Sequence, residues 1–188
     1  VVKGTAVNQD GRSNWFTAPN VKAQESLLNK ALADAKLKPE QIAFIEAHGT
    51  GTKIGDPIEM EAIAAAFAKY KTKDHPLFVG SVKTNIGHSE GVAGVAGMMK
   101  AVLSIQNKIL PKNLHFNTPN ELIDWKNLPI EVPVENTPWD AEQQYIGVSG
   151  FGVTGTNGHV ILGAAPKVEE KTFEQELRKD VFVLPLSA

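Results

Sequence analysis

The chain has 188 residues, 42% hydrophobic and 21% charged, which suits one folded domain with a core and excludes disorder over most of its length. Lys and Arg number 19 against 21 Asp and Glu, and the net charge of -2 lacks the basic excess of a nucleic-acid-binding domain. Cysteine is absent, so these residues supply no disulfide, no thiolate metal ligand and no cysteine nucleophile, and no apolar run reaches the ~18–20 residues that span a bilayer.

The chain opens on Val1-Val2-Lys3-Gly4-Thr5-Ala6-Val7, a strand already under way without a Met, and the expectation is a cut from a longer protein. Residues 8–20, rich in Gly, Asn, Asp and Ser, read as a loop. Leu27, Leu28, Ala31, Leu32 and Ala35 recur at helical spacing and predict a helix over 21–36, ended by Pro39. Residues 42–47 read as a buried strand. Asp56-Pro57-Ile58-Glu59 reads as a helix start, with Asp56 as the cap and Pro57 at the first helical position, and the helix runs to about Lys69.

Residues 77–82 read as another buried strand. Residues 91–106 form a helix that is apolar on nearly every face, which predicts a central helix covered on opposite sides. Gly91, Gly94 and Gly97 fall three apart and predict a small-residue stripe for a close-packed neighbouring helix. Residues 111–139 read as irregular. Residues 145–149 and 159–162 read as strands split by a glycine-rich turn, and 167–188 as a charged linker leading out of the domain. Strands alternating with helices predict a layered α/β fold, with ligands beyond the carboxyl ends of the strands.

Three polar, glycine-rich loops follow predicted strands and are expected to converge on one pocket: His48-Gly49-Thr50-Gly51-Thr52, Lys83-Thr84-Asn85-Ile86-Gly87-His88, and the segment from Gly150 to Asn157. Gly150-Phe151-Gly152-Val153-Thr154-Gly155 has the G-x-G-x-x-G spacing of a dinucleotide loop, but a strand pattern follows it where that motif needs a helix. The reading that survives is a tight turn. Of the five histidines, His75 and His115 read as structural and His159 as bonded within its strand. His48 and His88 lie just past buried strands. A metal site from His48, His88, Asp56 and Glu90 lacks any H-x-x-x-H or H-E-x-x-H spacing, so no metal is expected. Two neutral histidines donating into one pocket suit an oxyanion that develops on a carbonyl or thioester. Lys83, beside a buried strand end, needs a carboxylate, and Glu90 is the nearest in sequence. The residues read as half of an acyl-transfer site without its nucleophile.

Four ordered motifs carry a family resemblance. Glu46-Ala47-His48-Gly49-Thr50-Gly51-Thr52, Gly55-Asp56-Pro57-Ile58-Glu59, Gly80-Ser81-Val82-Lys83-Thr84-Asn85-Ile86-Gly87-His88, and Phe151-Gly152 with Gly155-Thr156-Asn157 closely resemble the carboxyl-terminal half of β-ketoacyl synthase domains of type I polyketide and fatty acid synthases. The resemblance runs over residues 1–166, with 167–188 as the start of the linker that follows such a domain. It departs at Gly150, where Ser is usual, at Thr154, where Gly is usual, and at Gly158, often Ala.

The resemblance implies a thiolase-like layered α/β fold with a mixed sheet and a buried central helix. It implies decarboxylative Claisen condensation of an acyl thioester with a malonyl-type extender. His48 and His88 complete a triad whose cysteine lies in the other half of the domain. Lys83 orders the site through a carboxylate, here Glu90. Thr50 and Thr52, with Phe151 and Gly152, contact the phosphopantetheine arm, and the Val153 N–H forms an oxyanion hole with that of the cysteine. No cofactor binds directly; phosphopantetheine arrives on the acyl carrier protein. The implied partners are the amino-terminal half, the carrier protein and a second copy in a homodimer, with neither nucleic acid nor membrane, in the cytoplasm. Other readings remain open: a non-elongating or decarboxylase-like homologue, a carrier-docking module, or a metallohydrolase using His48 and His88.

Overall fold

The structure is a computed structural model and describes residues 1–11, 19–142 and 144–166. The strand-helix alternation predicted above is present. In chain order run β1 (Val2–Gln9), α1 (Val21–Ala35), β2 (Ile42–Glu46), α2 (Gly55–Phe67), β3 (Leu77–Gly80), the single turn α3 (Lys83–Ile86), α4 (Ala93–Asn107), β4 (Ile109–Leu110), β5 (Ile130–Glu131), β6 (Thr137–Pro138), β7 (Tyr145–Phe151) and β8 (Thr156–Leu162). The expected linker lies outside the described residues.

One sheet has the order β1-β8-β7-β2-β3-β5. It is mixed: β7, β2, β3 and β5 are parallel neighbours, whereas β8 runs antiparallel to both β7 and β1. β4 and β6 pair separately. β1 thus joins the last strand, Val2 opposite Leu162, and the ladder continues outward as Val1 N donates to the Gly163 carbonyl at 2.7 Å.

Two layers of side chains flank the sheet. Leu28, Ala31 and Leu32 of α1 and Met60, Ile63 and Phe67 of α2 pack with Ile42, Ile45, Leu77 and Val79 on one face. Ala101 of α4 packs with Phe44, Ile146, Val148 and Leu162 on the other. Every residue of β2 is therefore buried, as a strand covered on both faces must be. Asn20 caps α1 by accepting from the Lys22 and Ala23 amides. Gly4 lets α1 lie against β1, since a Cβ there would come within 2.5 Å of the Ala35 nitrogen.

Two local expectations change. α2 starts at Gly55, one residue before the predicted cap Asp56, because Thr52 Oγ1 accepts the Gly55 N–H and frees Asp56 and Glu59 for the preceding loop. In α4 the buried positions are Ala93, Gly97, Ala101 and Ser104, a single stripe against the sheet. Gly97 belongs to that stripe, with a Cβ there falling 3.2 Å from Val148 Cγ1, while a Cβ at Gly91 or Gly94 would meet open space. The small-residue stripe thus admits this chain's own strands at Gly97. Val92, Val95, Met99, Val102 and Leu103 are exposed on the outer side of the helix.

Candidate active site

The site lies at the carboxyl ends of β2, β3 and β7. Those strands are parallel, so the segments that leave them emerge at one edge of the sheet. The Ala47 amide donates to the Gly80 carbonyl at 2.8 Å and ties the first two exits together. Gly49, at φ 46°, lets the chain turn hard against β3, where a Cβ would sit 2.9 Å from Ser81 Cβ.

His48, His88 and Phe151 converge as the loops predicted. The His48 and His88 rings meet edge to face with centroids 5.3 Å apart, and Phe151 lies 5.4 Å from His48. Burial, then the Lys83 charge and His88, lowers the His48 pKa to about 4, so the ring is neutral at pH 7. Its Nδ1 is buried and has no hydrogen-bond partner among the described residues. His88 is exposed in this chain, and its Nδ1 accepts the Glu90 N–H at 2.9 Å. That bond leaves the proton on Nε2 and makes Nε2 a donor.

Glu90 therefore reaches the site by its amide. Its side chain is exposed, its backbone is left-handed at φ 48°, and it forms no ion pair with Lys83. The predicted pairing is corrected here. Burial pulls the Lys83 ammonium below its ordinary value, and the carboxylates that oppose this are Glu46 and Glu59. Both act on Lys83 through the fold, although Glu46 lies 37 residues before it in the chain.

The loop from His48 to Thr52 is held from below by α2. Glu59 is buried, and its two oxygens accept the His48 and Gly49 amides, each at 2.8 Å. Burial pushes its pKa up to about 7 against the pull of those two donors. Asp56 accepts the Gly51 amide at 3.0 Å, and burial raises its pKa too. Thr50 and Thr52 are exposed on this loop, their hydroxyls 3.3 Å apart.

The turn into Lys83 is held by two side chains. Glu46 accepts the Val82 N–H, and Asn113 accepts the Ser81 N–H at 3.0 Å. Motif reading gave Glu46 no role of its own and read Glu59 as closing a capping box at the start of α2, whereas Glu59 holds the His48 loop. Glu46 carried a signal, as the one charge in an otherwise apolar strand.

The β7–β8 turn closes the third side. Gly152 N donates to the Thr156 carbonyl at 2.7 Å and Gly155 N to the Gly152 carbonyl at 2.9 Å, with Gly155 at φ 85°. β8 follows directly, so this is a hairpin turn and not a dinucleotide loop. Val153 is at its tip, 79% exposed. His159 stands apart from the site, buried in β8 and paired through Nδ1 with Ser149 Oγ at 3.0 Å. Among the described residues, no three His, Asp or Glu side chains gather closely enough to hold a metal ion, and no helix is long and apolar enough to cross a membrane.

Two histidines, Lys83 and a glycine hairpin thus follow the carboxyl ends of β2, β3 and β7. Residues 1–117 match the family model of the β-ketoacyl synthase C-terminal domain, and residues 119–188 that of the ketoacyl-synthetase C-terminal extension. The chain belongs to the β-ketoacyl synthase family.

It is 45% identical over 174 residues to the pikromycin polyketide synthase component PikAIII of Streptomyces venezuelae, covering 90% of this chain and 11% of that protein. It is 44% identical over 172 residues to erythronolide synthase EryA3 of Saccharopolyspora erythraea, covering 90% of this chain and 5% of that one. The structure superimposes with a TM-score of 0.80 on the ketosynthase from module 6 of the bacillaene synthase of Bacillus subtilis 168. That pair is 42% identical, covering 88% of this chain and 30% of the other. The chain thus spans less than a third of the ketosynthase structure and a small part of each synthase.

Proposed function

We propose that this chain is the carboxyl-terminal half of an elongating ketosynthase, which condenses an acyl thioester with a malonyl-type extender held on an acyl carrier protein. The observation that carries this reading is the His48–His88 pair, two imidazoles at 5.3 Å with one ring neutral and the other offering Nε2–H.

The acyl group rides on a cysteine of the amino-terminal half. The malonyl carboxylate leaves as carbon dioxide, and its bonding electrons pass to the α-carbon as charge builds on the thioester oxygen. His48 and His88 donate to that oxygen as it becomes an enolate oxygen. The α-carbon then attacks the acyl carbonyl, a carbon–carbon bond forms, and the cysteine thiolate departs. The Val153 N–H is suited to receive the oxyanion of that second step together with the cysteine's own amide.

Lys83, half-buried between the fields of Glu46 and Glu59, holds the charge balance around His48. Glu90 fixes the tautomer of His88. The exposed Thr50 and Thr52 hydroxyls, with Phe151 and Gly152, line the approach for a phosphopantetheine arm. The domain ends near residue 166, with the linker beyond, and works as a cytoplasmic homodimer.

The test supplies acyl- and malonyl-carrier proteins to the complete domain and follows carbon dioxide and ketoacyl product. Product formation is expected from both halves together, and none from this chain alone, which has no thiol. A complete domain that binds both carriers yet releases neither overturns the reading.

A further inference from the structure

Glu46 ends β2, is 1% exposed, and serves a different element with each oxygen. Oε1 accepts the Val82 N–H at 2.5 Å, at the start of the single turn that carries Lys83. Oε2 meets the Lys100 ammonium at 2.7 Å. Lys100 comes from α4, its side chain 11% exposed and its ammonium 4.9 Å from the Phe44 ring centroid. Gly97, one turn earlier on α4, makes room, since a Cβ there would lie 3.0 Å from Glu46 Cγ.

Burying two charges costs more than filling the same space with apolar side chains, and such a pair adds little net stability. Its location gives it another use. β2 runs directly into His48, the Val82 turn runs into Lys83 and on to His88, and α4 supplies the cation. The other ion pair among the described residues, Lys108 with Glu142, is exposed and lies off these segments.

The geometry points to Lys100 as a positioning residue that acts through Glu46 to hold the turn at Val82, and with it Lys83 and His88, in place for condensation. This rests on the condensation reading above. Lys100 touches no reacting atom. Without it, Glu46 is a buried carboxylate with one cation left to act on it, Lys83 of α3. Lys83 faces Glu59 of α2 as well. Glu46 then takes up a proton or swings toward Lys83, and either change releases the Val82 amide.

The experiment measures release of carbon dioxide from malonyl carrier protein by the complete domain, with kcat and KM read separately across pH. Lys100→Met is expected to lower kcat by about tenfold to a hundredfold with KM within about twofold, the scale of misplacing a catalytic group by about 1 Å. Its acid limb is expected to move to higher pH, because Glu46 protonates more readily there. Lys100→Arg restores most of kcat, and Lys108→Met behaves as wild type. Circular dichroism establishes folding; where Lys100→Met does not fold, Lys100→Gln replaces it with the same expectations. An active wild type with an indifferent Lys100→Met overturns the proposal alone, as does a loss that Arg does not rescue and that leaves the acid limb unmoved. A wild type that releases no carbon dioxide overturns the condensation reading, and this proposal with it.

Discussion

His48 and His88 stand edge to face, 5.3 Å between ring centroids, although 40 residues separate them in the chain. In the complete domain, His48→Ala or His88→Ala is expected to cost about 10²-fold or more in carbon dioxide release, the scale of losing an oxyanion donor. Loading of the cysteine, followed by mass spectrometry, should persist in both.

Glu59 holds the His48 loop by two amide bonds from one buried carboxylate. Glu59→Gln keeps one acceptor and turns an NH₂ toward the second amide. The expected cost is about 1–3 kcal/mol of stability, as for an unsatisfied buried donor. Urea unfolding of the complete domain measures this, and a loss of condensation should accompany it.

Stability should change slope with pH in a defined way. Burial holds the His159 pKa at about 3, below its ordinary 6.5, so the unfolded chain binds more protons between those values. Its contribution is complete above pH 6.5 and falls as pH drops toward 3, by up to about 1.4 kcal/mol per pH unit. His48, at about 4, has the same sign. Glu59 runs the other way: raised from 4.5 to about 7, its contribution is present below pH 4.5 and lost as pH rises through 7. The histidines and Glu59 oppose each other between pH 4.5 and 6.5, and below that window Glu59 no longer contributes to the slope. Urea melts of wild type and His159→Gln across this range should differ chiefly in the acid slope.

Gly147 packs under the His159 ring, where a Cβ would fall 2.6 Å from Nε2 and 2.7 Å from Ile45 Cδ1. Gly147→Ala is expected to destabilise by about 1–3 kcal/mol, the cost of overpacking a filled core. A denaturant midpoint at the wild-type value would show that the ring has room to retreat.

The outer side of α4 shows Val95, Met99, Val102 and Leu103 to solvent in this chain. Contiguous apolar surface of more than a few hundred Å² is uncommon on a monomer and promotes association. Met99→Glu should make the isolated chain less prone to associate, read by sedimentation. The same change should impair assembly of the complete domain if the other half covers this helix.

Most of the scaffold was legible because it is periodic. The spacing of Leu27, Leu28, Ala31 and Leu32 located α1, and the apolar runs before His48 and after Pro76 located β2 and β3. β5 and β6 were not legible, being two-residue pairings within a Pro- and Asn-rich stretch whose register comes from neighbours. The histidines were legible from their flanking glycines. Their supports were not. Glu46 lies 37 residues before Lys83, so nearness along the chain favoured Glu90, whereas the parallel β2–β3 pairing brings Glu46 beneath the Lys83 turn. Periodicity also left the sides of α4 undetermined, because a helix apolar all round does not say which side meets its own sheet.

Val1 and Gly163 exchange backbone bonds, Val1 N to the Gly163 carbonyl and Gly163 N to the Val1 carbonyl. That doorway lies at the opposite end of β8 from the Thr156 hairpin, a strand length of about 20 Å from the histidine edge. The doorway and the imidazoles therefore sit at opposite ends of the sheet, with the length of β8 as the spacer between them.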